Sequence, residues 1–284
     1  MPEDTFRTHD GLQLTVQRLG SGPPLVVLPG WLGAASDWSP VVQRLSDQCS
    51  ATILEPRPHV ASQQPTVTAM ADDLHALLAA FELEQPLVLG HSMGTSVCWE
   101  YVARYGCDAL GGLCLVEQSP RLITDSDWTL GLGAAFTPEA NRAFTDWLAR
   151  DFPAAALDLM DRGRGAPAGS AAARLAALFA DSRRRRVAAL RPDPWIRAWE
   201  SFAWQDYREV LPRITVPTLL IYGARSFYGR AVGEYVRDRI PGARLEVLEA
   251  AGHAPQQDDL AGFVAVLRGF VAERHEAWQT TGEH

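Results

Sequence analysis

The sequence predicts an α/β fold, in which a mostly parallel sheet is covered by helices on both faces. Short continuous apolar runs, which are typical of strands buried on both sides, alternate along the chain with segments of helical periodicity. The alternation begins near residue 12 and resumes after residue 213, with a stretch of different character between. This is the order of βαβ units, whose parallel strands need helical crossovers.

Seven apolar segments are predicted as strands, and the amphipathic segments near them are predicted as helices. The strands cover residues 12–20, 23–30, 51–56, 86–90, 110–120, 216–223 and 243–250. The helices cover residues 37–47, 66–82, 93–105, 229–240 and 255–274.

The stretch over residues 121–212 contains helix-like runs and no convincing strand. It is predicted to form a helical cap inserted into a core, whose first part is residues 1–120 and whose second part is residues 213–284. Within the cap, the segment GRGAPAGSAAA (163–173) is expected to be mobile, because it is rich in glycine and other small residues.

The composition is that of a soluble globular protein, since 47% of the 284 residues are hydrophobic and 21% are charged. The net charge of −8 argues against nucleic acids and anionic membrane surfaces as partners. The polar start MPEDTFRTHDG is unlike a signal peptide, and no apolar run is long enough to span a membrane. Because no two of the four cysteines have C-x-x-C spacing, they are predicted to be buried free thiols in a cytoplasmic protein.

The short motif GHSMG (90–94) places a serine between a predicted strand and a predicted helix. In this setting a G-x-S-x-G motif is typical of a nucleophile elbow, a sharp turn that holds the serine oxygen at a helix N-terminus. Gly90 and Gly94 lack side chains where the strand and the helix crowd together. The alternative is an ordinary turn or helix-capping serine. The context favours Ser92 as a nucleophile.

A serine hydroxyl needs a base to take its proton, and His253 is the best-placed histidine. It follows the last predicted strand, and loops at the carboxyl ends of parallel strands meet at one edge of a sheet. The alternative is a histidine in an ordinary turn. His91 is adjacent to Ser92 but is expected to point elsewhere from the tight turn.

An oxyanion hole requires two backbone N–H groups aimed at one point. The amide of Met93, which follows the predicted nucleophile, is one candidate. The other is the amide of Trp31 in the loop LPGWLG (28–33), where Gly30 and Gly33 allow the chain to curl. The alternative for this loop is a simple turn.

Taken in order, these motifs resemble the α/β-hydrolase superfamily over nearly the whole chain. LPGWLGAASDW (28–38) resembles its oxyanion loop, GHSMG its nucleophile elbow, LPRITVPTLLIYG (211–223) its return from cap to core, and AGHAPQQDD (251–259) its catalytic-histidine loop. The resemblance implies an α/β-hydrolase fold with an eight-stranded sheet and a serine esterase type of chemistry. It is much less informative about the substrate, because this fold supports many reactions.

The acid of the expected triad is missing from its usual place. The family usually takes it from the loop after the seventh strand, where this chain has Ser226 in YGARSFYG (222–229). Some haloalkane dehalogenases and cofactor-free chloroperoxidase-like hydrolases carry the acid after the sixth strand instead, and LCLVEQSP (113–120) puts Glu117 there. Glu117 is therefore the predicted acid, the alternative being a structural pair with an arginine. Three other acids near the histidine loop fit less well: Glu249, Asp258 and Asp259.

The predicted cap is rich in tryptophan. Trp195, Trp199 and Phe202 recur at helical spacing, which predicts a stripe that packs the cap onto the core and partly lines a pocket. The residues predicted to contact substrate are Trp31, Trp128 and Trp199. The run of arginines over residues 183–186 is interpreted as a solvated helix face, or, less simply, as a site for a carboxylate-bearing or coenzyme A-linked substrate.

Together these residues predict a serine hydrolase that cleaves a carboxylic ester or thioester of a small apolar or aromatic substrate through an acyl-enzyme. One alternative is a cofactor-free perhydrolase, a haloperoxidase-like enzyme or a lyase that uses the same residues. Another is a non-catalytic ligand-binding relative, which only Ser226 favours. No phosphate-binding or dinucleotide motif and no metal-spaced histidine pair is present, so neither a cofactor nor a metal is expected. The oligomeric state is left open.

Overall fold

A single eight-stranded sheet forms the centre of the protein. The computed structural model describes residues 1–60, 62, 64–165, 178 and 180–281, with side chains described as far as residue 275. The strands are β1 (Glu3–Arg7), β2 (Gln13–Leu19), β3 (Pro24–Leu28), β4 (Ser50–Leu54), β5 (Leu87–His91), β6 (Gly112–Val116), β7 (Thr218–Gly223) and β8 (Arg244–Leu248). Their order is β1-β2-β4-β3-β5-β6-β7-β8, and β2 pairs antiparallel with β1 and β4 while all the other pairs are parallel. The predicted fold class is confirmed.

Helices cover both faces of the sheet, as the alternation of strands and amphipathic segments predicts. They are α1 (Ser39–Leu45), α2 (Val67–Ala80), α3 (Met93–Tyr105), α4 (Pro138–Arg150), α5 (Phe152–Arg164), α6 (Ala180–Ala188), α7 (Pro192–Ala203), α8 (Gly229–Arg237), α9 (Pro255–Asp258) and α10 (Leu260–Thr281). Helices α2, α3 and α8 pack into one apolar layer, and α1 and α10 pack into the other.

The first strand, β1, has no counterpart among the strands predicted from apolar runs. Its five residues are exposed except for Phe6, so the apolar pattern that reveals the inner strands is missing. Five consecutive backbone pairs with β2, from Glu3 with Gln17 to Arg7 with Gln13, define it instead. An edge strand is recognised here by its pairing and not by its side chains.

Four helices, α4 to α7, lie between β6 and β7 in the stretch predicted as the cap. Helix α7 buries Trp195, Trp199 and Phe202, and the indole N–H of Trp31 donates to the carbonyl oxygen of Trp195 at 2.8 Å. The tryptophan stripe therefore packs the cap against the core. Of the segment expected to be mobile, residues 166–173 lie outside the described part of the chain.

The register of the parallel strands brings four loops to one edge of the sheet. His91 at the end of β5 lies opposite Val116 at the end of β6, and Val116 pairs in turn with Ile221 of β7. Because parallel strands end at the same edge, the residues that follow β5, β6, β7 and β8 come together there.

All four cysteines are buried free thiols, as predicted. Within the described ranges, the helices do not include one of the length and apolar character needed to cross a membrane.

Candidate active site

Ser92 lies in the sharp turn between β5 and α3, with φ 52° and ψ −117°. This conformation is unfavourable for a residue with a side chain, and such strain is found where a function requires it. The flanking glycines are sterically required. A Cβ at Gly94 would lie 2.1 Å from the carbonyl oxygen of Leu28, and one at Gly90 would lie 2.4 Å from the carbonyl oxygen of Gly94. The turn therefore has the geometry of a nucleophile elbow.

The loop between β8 and α9 brings His253 to this serine. The Nε2 atom of His253 lies 3.0 Å from Ser92 Oγ, and its Nδ1 atom lies 3.0 Å from Oε2 of Glu117. The structure thus places the three residues predicted as nucleophile, base and acid in one hydrogen-bonded chain. This arrangement can transfer the serine proton to the imidazole while the carboxyl group holds the ring.

Glu117 follows β6 and is fully buried. Its φ of 55° is also in the left-handed region, which turns the side chain away from the strand direction toward the loop after β7. Oε1 accepts a hydrogen bond from the backbone N–H of Gly223 at 2.6 Å, and Oε2 accepts one from the hydroxyl of Ser226 at 2.5 Å. Its partners are therefore a histidine, an amide and a hydroxyl, and no arginine is among the contacts that the described residues make with it.

Ser226 occupies the position at which the resemblance leads one to expect an aspartate. It donates to the carboxyl oxygen that also faces His253, and its own oxygen accepts the backbone N–H of Tyr228 at 3.0 Å. In the sequence, Ser226 is visible only as the absence of an acid at this position. The signal that could have revealed this role is the hydroxyl itself, because a buried carboxylate without an arginine needs donors.

The three other acids considered for this role have different partners. Glu249 pairs with Arg230 at 2.8 Å on the surface. Asp258 accepts the backbone N–H of Gly252 at 2.9 Å, and Asp259 accepts that of Gly262 at 3.0 Å. Each of them stabilises local backbone or surface structure.

Burial dominates the electrostatics of His253 and Glu117. Desolvation lowers the pKa of His253 from 6.5 to about 3, so the imidazole is neutral at neutral pH and can accept a proton. Desolvation raises the pKa of Glu117, and the hydrogen bonds from Ser226 and Gly223 counteract this by lowering it. The ionised form of Glu117 therefore depends on these two donors.

The predicted oxyanion amides belong to two segments that come near Ser92. Met93 directly follows Ser92 at the first turn of α3. Trp31 lies in the loop after β3 and lines the same cleft as Ser92. The loop is curled by a hydrogen bond from the N–H of Gly33 to the carbonyl of Gly30 at 3.0 Å. Within the described part of the chain, neither the Trp31 nor the Met93 amide has a hydrogen-bond acceptor. Both are therefore available to a bound oxygen.

A cleft of about 630 Å³, partly open to solvent, gives access to Ser92 and His253. Its apolar lining includes Trp31, Trp38 and Met160, and its charged lining includes Arg164 and Arg186. Arg186 donates to Asp37 and, at 3.2 Å, to the carbonyl oxygen of Leu32. One member of the arginine run predicted as a solvated face thus borders the cleft, while Arg184 and Arg185 are exposed.

Of the three tryptophans predicted to contact substrate, the structure brings only Trp31 to this cleft. Trp199 is buried, packs its ring 5.2 Å from that of Trp31 and donates its indole N–H to Asn141 at 2.9 Å. Trp128 is buried against Tyr235 at 4.6 Å between ring centroids. Trp199 thus packs against Trp31, the tryptophan of the cleft, and Trp128 packs against Tyr235.

His91 lies closer to the site than expected. Its ring lines the same cleft as Ser92, and its Nε2 atom is 2.7 Å from the carbonyl oxygen of His253. As expected, the ring is directed elsewhere than at Ser92 Oγ, which faces His253, and it meets the main chain of the loop after β8 where that loop folds back over the end of β5. Burial lowers the pKa of His91 from 6.5 to about 4.

Metal chemistry needs a cluster of suitable ligands. Among the described residues, no group of three or more histidine, cysteine, aspartate or glutamate side chains could hold a metal ion.

The chain was compared with known protein families and curated proteins. A family model described as "alpha/beta hydrolase fold" matches residues 23–260. A pimeloyl-[acyl-carrier protein] methyl ester esterase of Chromobacterium violaceum is 30% identical over 90% of this chain and 97% of its own length. An esterase of the same name from Aeromonas hydrophila subsp. hydrophila is 27% identical over 92% of this chain and all of its own length.

Solved structures support the same fold. The esterase EaEST from Exiguobacterium antarcticum superimposes with a TM-score of 0.83 at 22% sequence identity, and the match covers 94% of this chain and 98% of the esterase.

Proposed function

Because the chain belongs to the α/β-hydrolase family and is a hydrolase, we propose that it cleaves a carboxylic ester through an acyl-enzyme formed on Ser92. The observation that carries this proposal is the hydrogen-bonded chain from Ser92 through His253 to Glu117, with 3.0 Å at each contact of the imidazole. A serine in a strained turn, a neutral imidazole and a buried carboxyl group are the parts that acyl transfer requires.

In the first half of the reaction, Nε2 of His253 takes the proton of Ser92 as Oγ attacks the ester carbonyl carbon. The electron pair of the carbonyl moves to its oxygen, and the resulting oxyanion accepts the N–H groups of Trp31 and Met93. The intermediate collapses when its C–O bond to the alcohol breaks and the imidazolium gives its proton to the departing alkoxide. Glu117 accepts the Nδ1–H throughout and stabilises the imidazolium.

In the second half, a water molecule replaces the alcohol. His253 takes a proton from the water as its oxygen attacks the acyl carbon, and the intermediate collapses by returning the proton to Ser92 Oγ. The products are a carboxylic acid and free enzyme, so no redox partner is consumed.

We propose an oxygen ester with an extended apolar acyl chain as the substrate class, with thioesters as the second choice. The cleft beside Ser92 joins an apolar wall of Trp31 and Met160 to the guanidinium of Arg164, while the other lining arginine, Arg186, is paired with Asp37. This lining suits an apolar chain that ends in a polar or anionic group. The curated relatives are named for a pimeloyl-[acyl-carrier protein] methyl ester, so the monomethyl ester of a dicarboxylic acid is a suitable first substrate to test.

Labelling with a fluorophosphonate, followed by peptide mapping, tests the nucleophile directly. We expect the label on Ser92 alone, and we expect Ser92→Ala to lose about 10⁶-fold in kcat on p-nitrophenyl butyrate. Ser182→Ala in helix α6 is the control, because Ser182 is exposed and far along the chain from the turn.

The competing functions give different results in the same assays. Turnover of esters by Ser92→Ala at the wild-type rate would contradict the proposal. Peroxide-dependent bromination without ester cleavage would indicate a perhydrolase, and ligand binding without turnover or labelling would indicate a non-catalytic relative.

A further inference from the structure

The main chain of His253 is hydrogen-bonded on both sides, by two parts of the molecule that are far apart in sequence. Its N–H donates to the carbonyl oxygen of Gly163 in cap helix α5 at 2.8 Å. Its carbonyl oxygen accepts a hydrogen bond from Nε2 of His91, the last residue of β5, at 2.7 Å. The backbone of the predicted base is thus attached to the cap and to the strand that carries the predicted nucleophile.

The contact with His91 defines the state of that ring. A carbonyl oxygen can only accept, so the Nε2 atom of His91 carries the hydrogen and the neutral ring leaves Nδ1 without one. The ring packs closely against the loop after β3, where Gly30 leaves room for it, because a Cβ placed on Gly30 would lie 2.9 Å from its Nδ1 atom. Since His91 directly precedes Ser92, its hydrogen bond fixes the position of the imidazole of His253 relative to the serine turn.

The contact with the cap requires a glycine. A Cβ at Gly163 would lie 3.0 Å from Cβ of His253 and 2.8 Å from Cε1 of Phe227. The ring of Phe227 is itself 4.5 Å from that of His253. Helix α5 therefore approaches the histidine loop so closely that an added Cβ would require the ring of Phe227 to move and His253 to shift slightly.

We propose that His91 and Gly163 are positioning residues that hold the main chain of His253 between strand β5 and cap helix α5. The inference rests on the proposed function, since it concerns the base of that reaction. The imidazole must meet Ser92 and Glu117 at 3.0 Å at the same time, and an error of about 1 Å in such an arrangement can cost 10²-fold in rate. Through Gly163, the cap becomes part of the catalytic geometry as well as a wall of the cleft.

The test at position 91 compares His91→Phe, which keeps a ring and loses the N–H, with His91→Gln, which keeps an N–H at a similar reach. We expect His91→Phe to lower kcat on p-nitrophenyl butyrate by about 10- to 100-fold with little change in KM. We expect His91→Gln to recover most of that loss. Rates are expressed per folded molecule from circular dichroism, so that a loss of stability alone leaves kcat unchanged.

The test at position 163 compares two glycine substitutions in helices. Gly163→Ala is expected to lower kcat by about tenfold, although alanine favours a helix. The control is Gly269→Ala in α10, where an added Cβ has no heavy atom within 4 Å, and it is expected to keep wild-type kcat. Amide hydrogen exchange of the peptide around His253 is expected to be faster in His91→Phe and in Gly163→Ala than in the wild type.

The outcomes separate the two proposals. Wild-type kcat and unchanged exchange in both His91→Phe and Gly163→Ala would overturn the positioning role, even in an enzyme that acts through Ser92. An absence of turnover in the wild-type protein would contradict the proposed function, and the exchange measurement would still decide whether the two contacts hold the loop.

Discussion

The ends of strands β6 and β7 contribute opposite halves of one interaction. The residue after β6 is Glu117, a buried carboxyl group in a strained backbone conformation. The loop after β7 carries Ser226, whose hydroxyl donates to that carboxyl group at 2.5 Å. In the family pattern the loop after β7 supplies the acid, whereas here it supplies a hydrogen-bond donor to an acid from the neighbouring strand.

For such a triad, the position of the carboxylate in space matters more than its position in the sequence. Oε2 of Glu117 is shared by Nδ1 of His253 and Oγ of Ser226, so side chains from both loops reach the same place. Among the described residues the partners of this buried carboxylate do not include an arginine, and the hydroxyl of Ser226 and the amide of Gly223 stabilise it.

Removing the charge at the end of β6 has the largest expected effect. We expect Glu117→Gln to lower kcat about 10⁴-fold on p-nitrophenyl butyrate, because the amide can no longer stabilise the imidazolium. Glu249→Gln, which removes a surface pair with Arg230, is the control and is expected to keep full activity. Full activity in Glu117→Gln would show that the acid lies elsewhere.

Moving the charge from β6 to β7 has the next largest effect. We expect the double variant Glu117→Gln/Ser226→Asp to regain about 10- to 100-fold over Glu117→Gln alone, because a carboxylate at residue 226 reaches the region now occupied by Oε2 of Glu117. The control is the double variant Glu117→Gln/Ser226→Asn, because asparagine has nearly the same shape as aspartate without its charge. Equal rates in the two double variants would contradict the idea that both loops serve one point.

Removing only the hydroxyl has a smaller effect. A hydrogen bond to a charged group contributes about 1.5 to 3 kcal/mol, and because the amide of Gly223 still donates to Glu117, we expect Ser226→Ala to lower kcat by about tenfold, at the lower end of that range. Ser226→Thr keeps a hydroxyl and is expected to remain closer to the wild type. A rate for Ser226→Ala equal to the wild-type rate would mean that the amide of Gly223 is sufficient.

The smallest effect is a shift of the pH profile. The hydrogen bond from Ser226 lowers the pKa of Glu117, so its loss in Ser226→Ala raises that pKa and leaves less carboxylate at a given pH. The acidic limb of kcat/KM should therefore move to higher pH in Ser226→Ala than in the wild type. A shift in the opposite direction would contradict the stabilising role of the hydroxyl.

Much of the fold follows from local patterns. The inner strands are buried on both sides, so their apolar runs are visible in the sequence, and the predicted helix at residues 66–82 corresponds to α2. The last predicted helix is divided at Asp259, whose φ of −140° separates α9 from α10. Strand β1 was not predicted because Phe6 is its only buried residue. Its pairing with β2 therefore leaves no periodic pattern of apolar residues in the sequence.

The serine turn can be read from the sequence alone, because Gly90 and Gly94 form a recognisable motif, although only the Gly90 contact lies within the strand-turn-helix unit and the Gly94 contact is with Leu28 at the end of β3. The sequence also indicated Glu117 as an acid, since an ionisable residue at the end of an apolar strand is unusual. The contacts of Ser226, His91 and Gly163, on which their proposed roles rest, become visible only in the folded chain. Their partners lie on other strands and in the cap, and hydrogen bonds between distant segments depend on how the loops fold over the sheet edge, which no local pattern specifies.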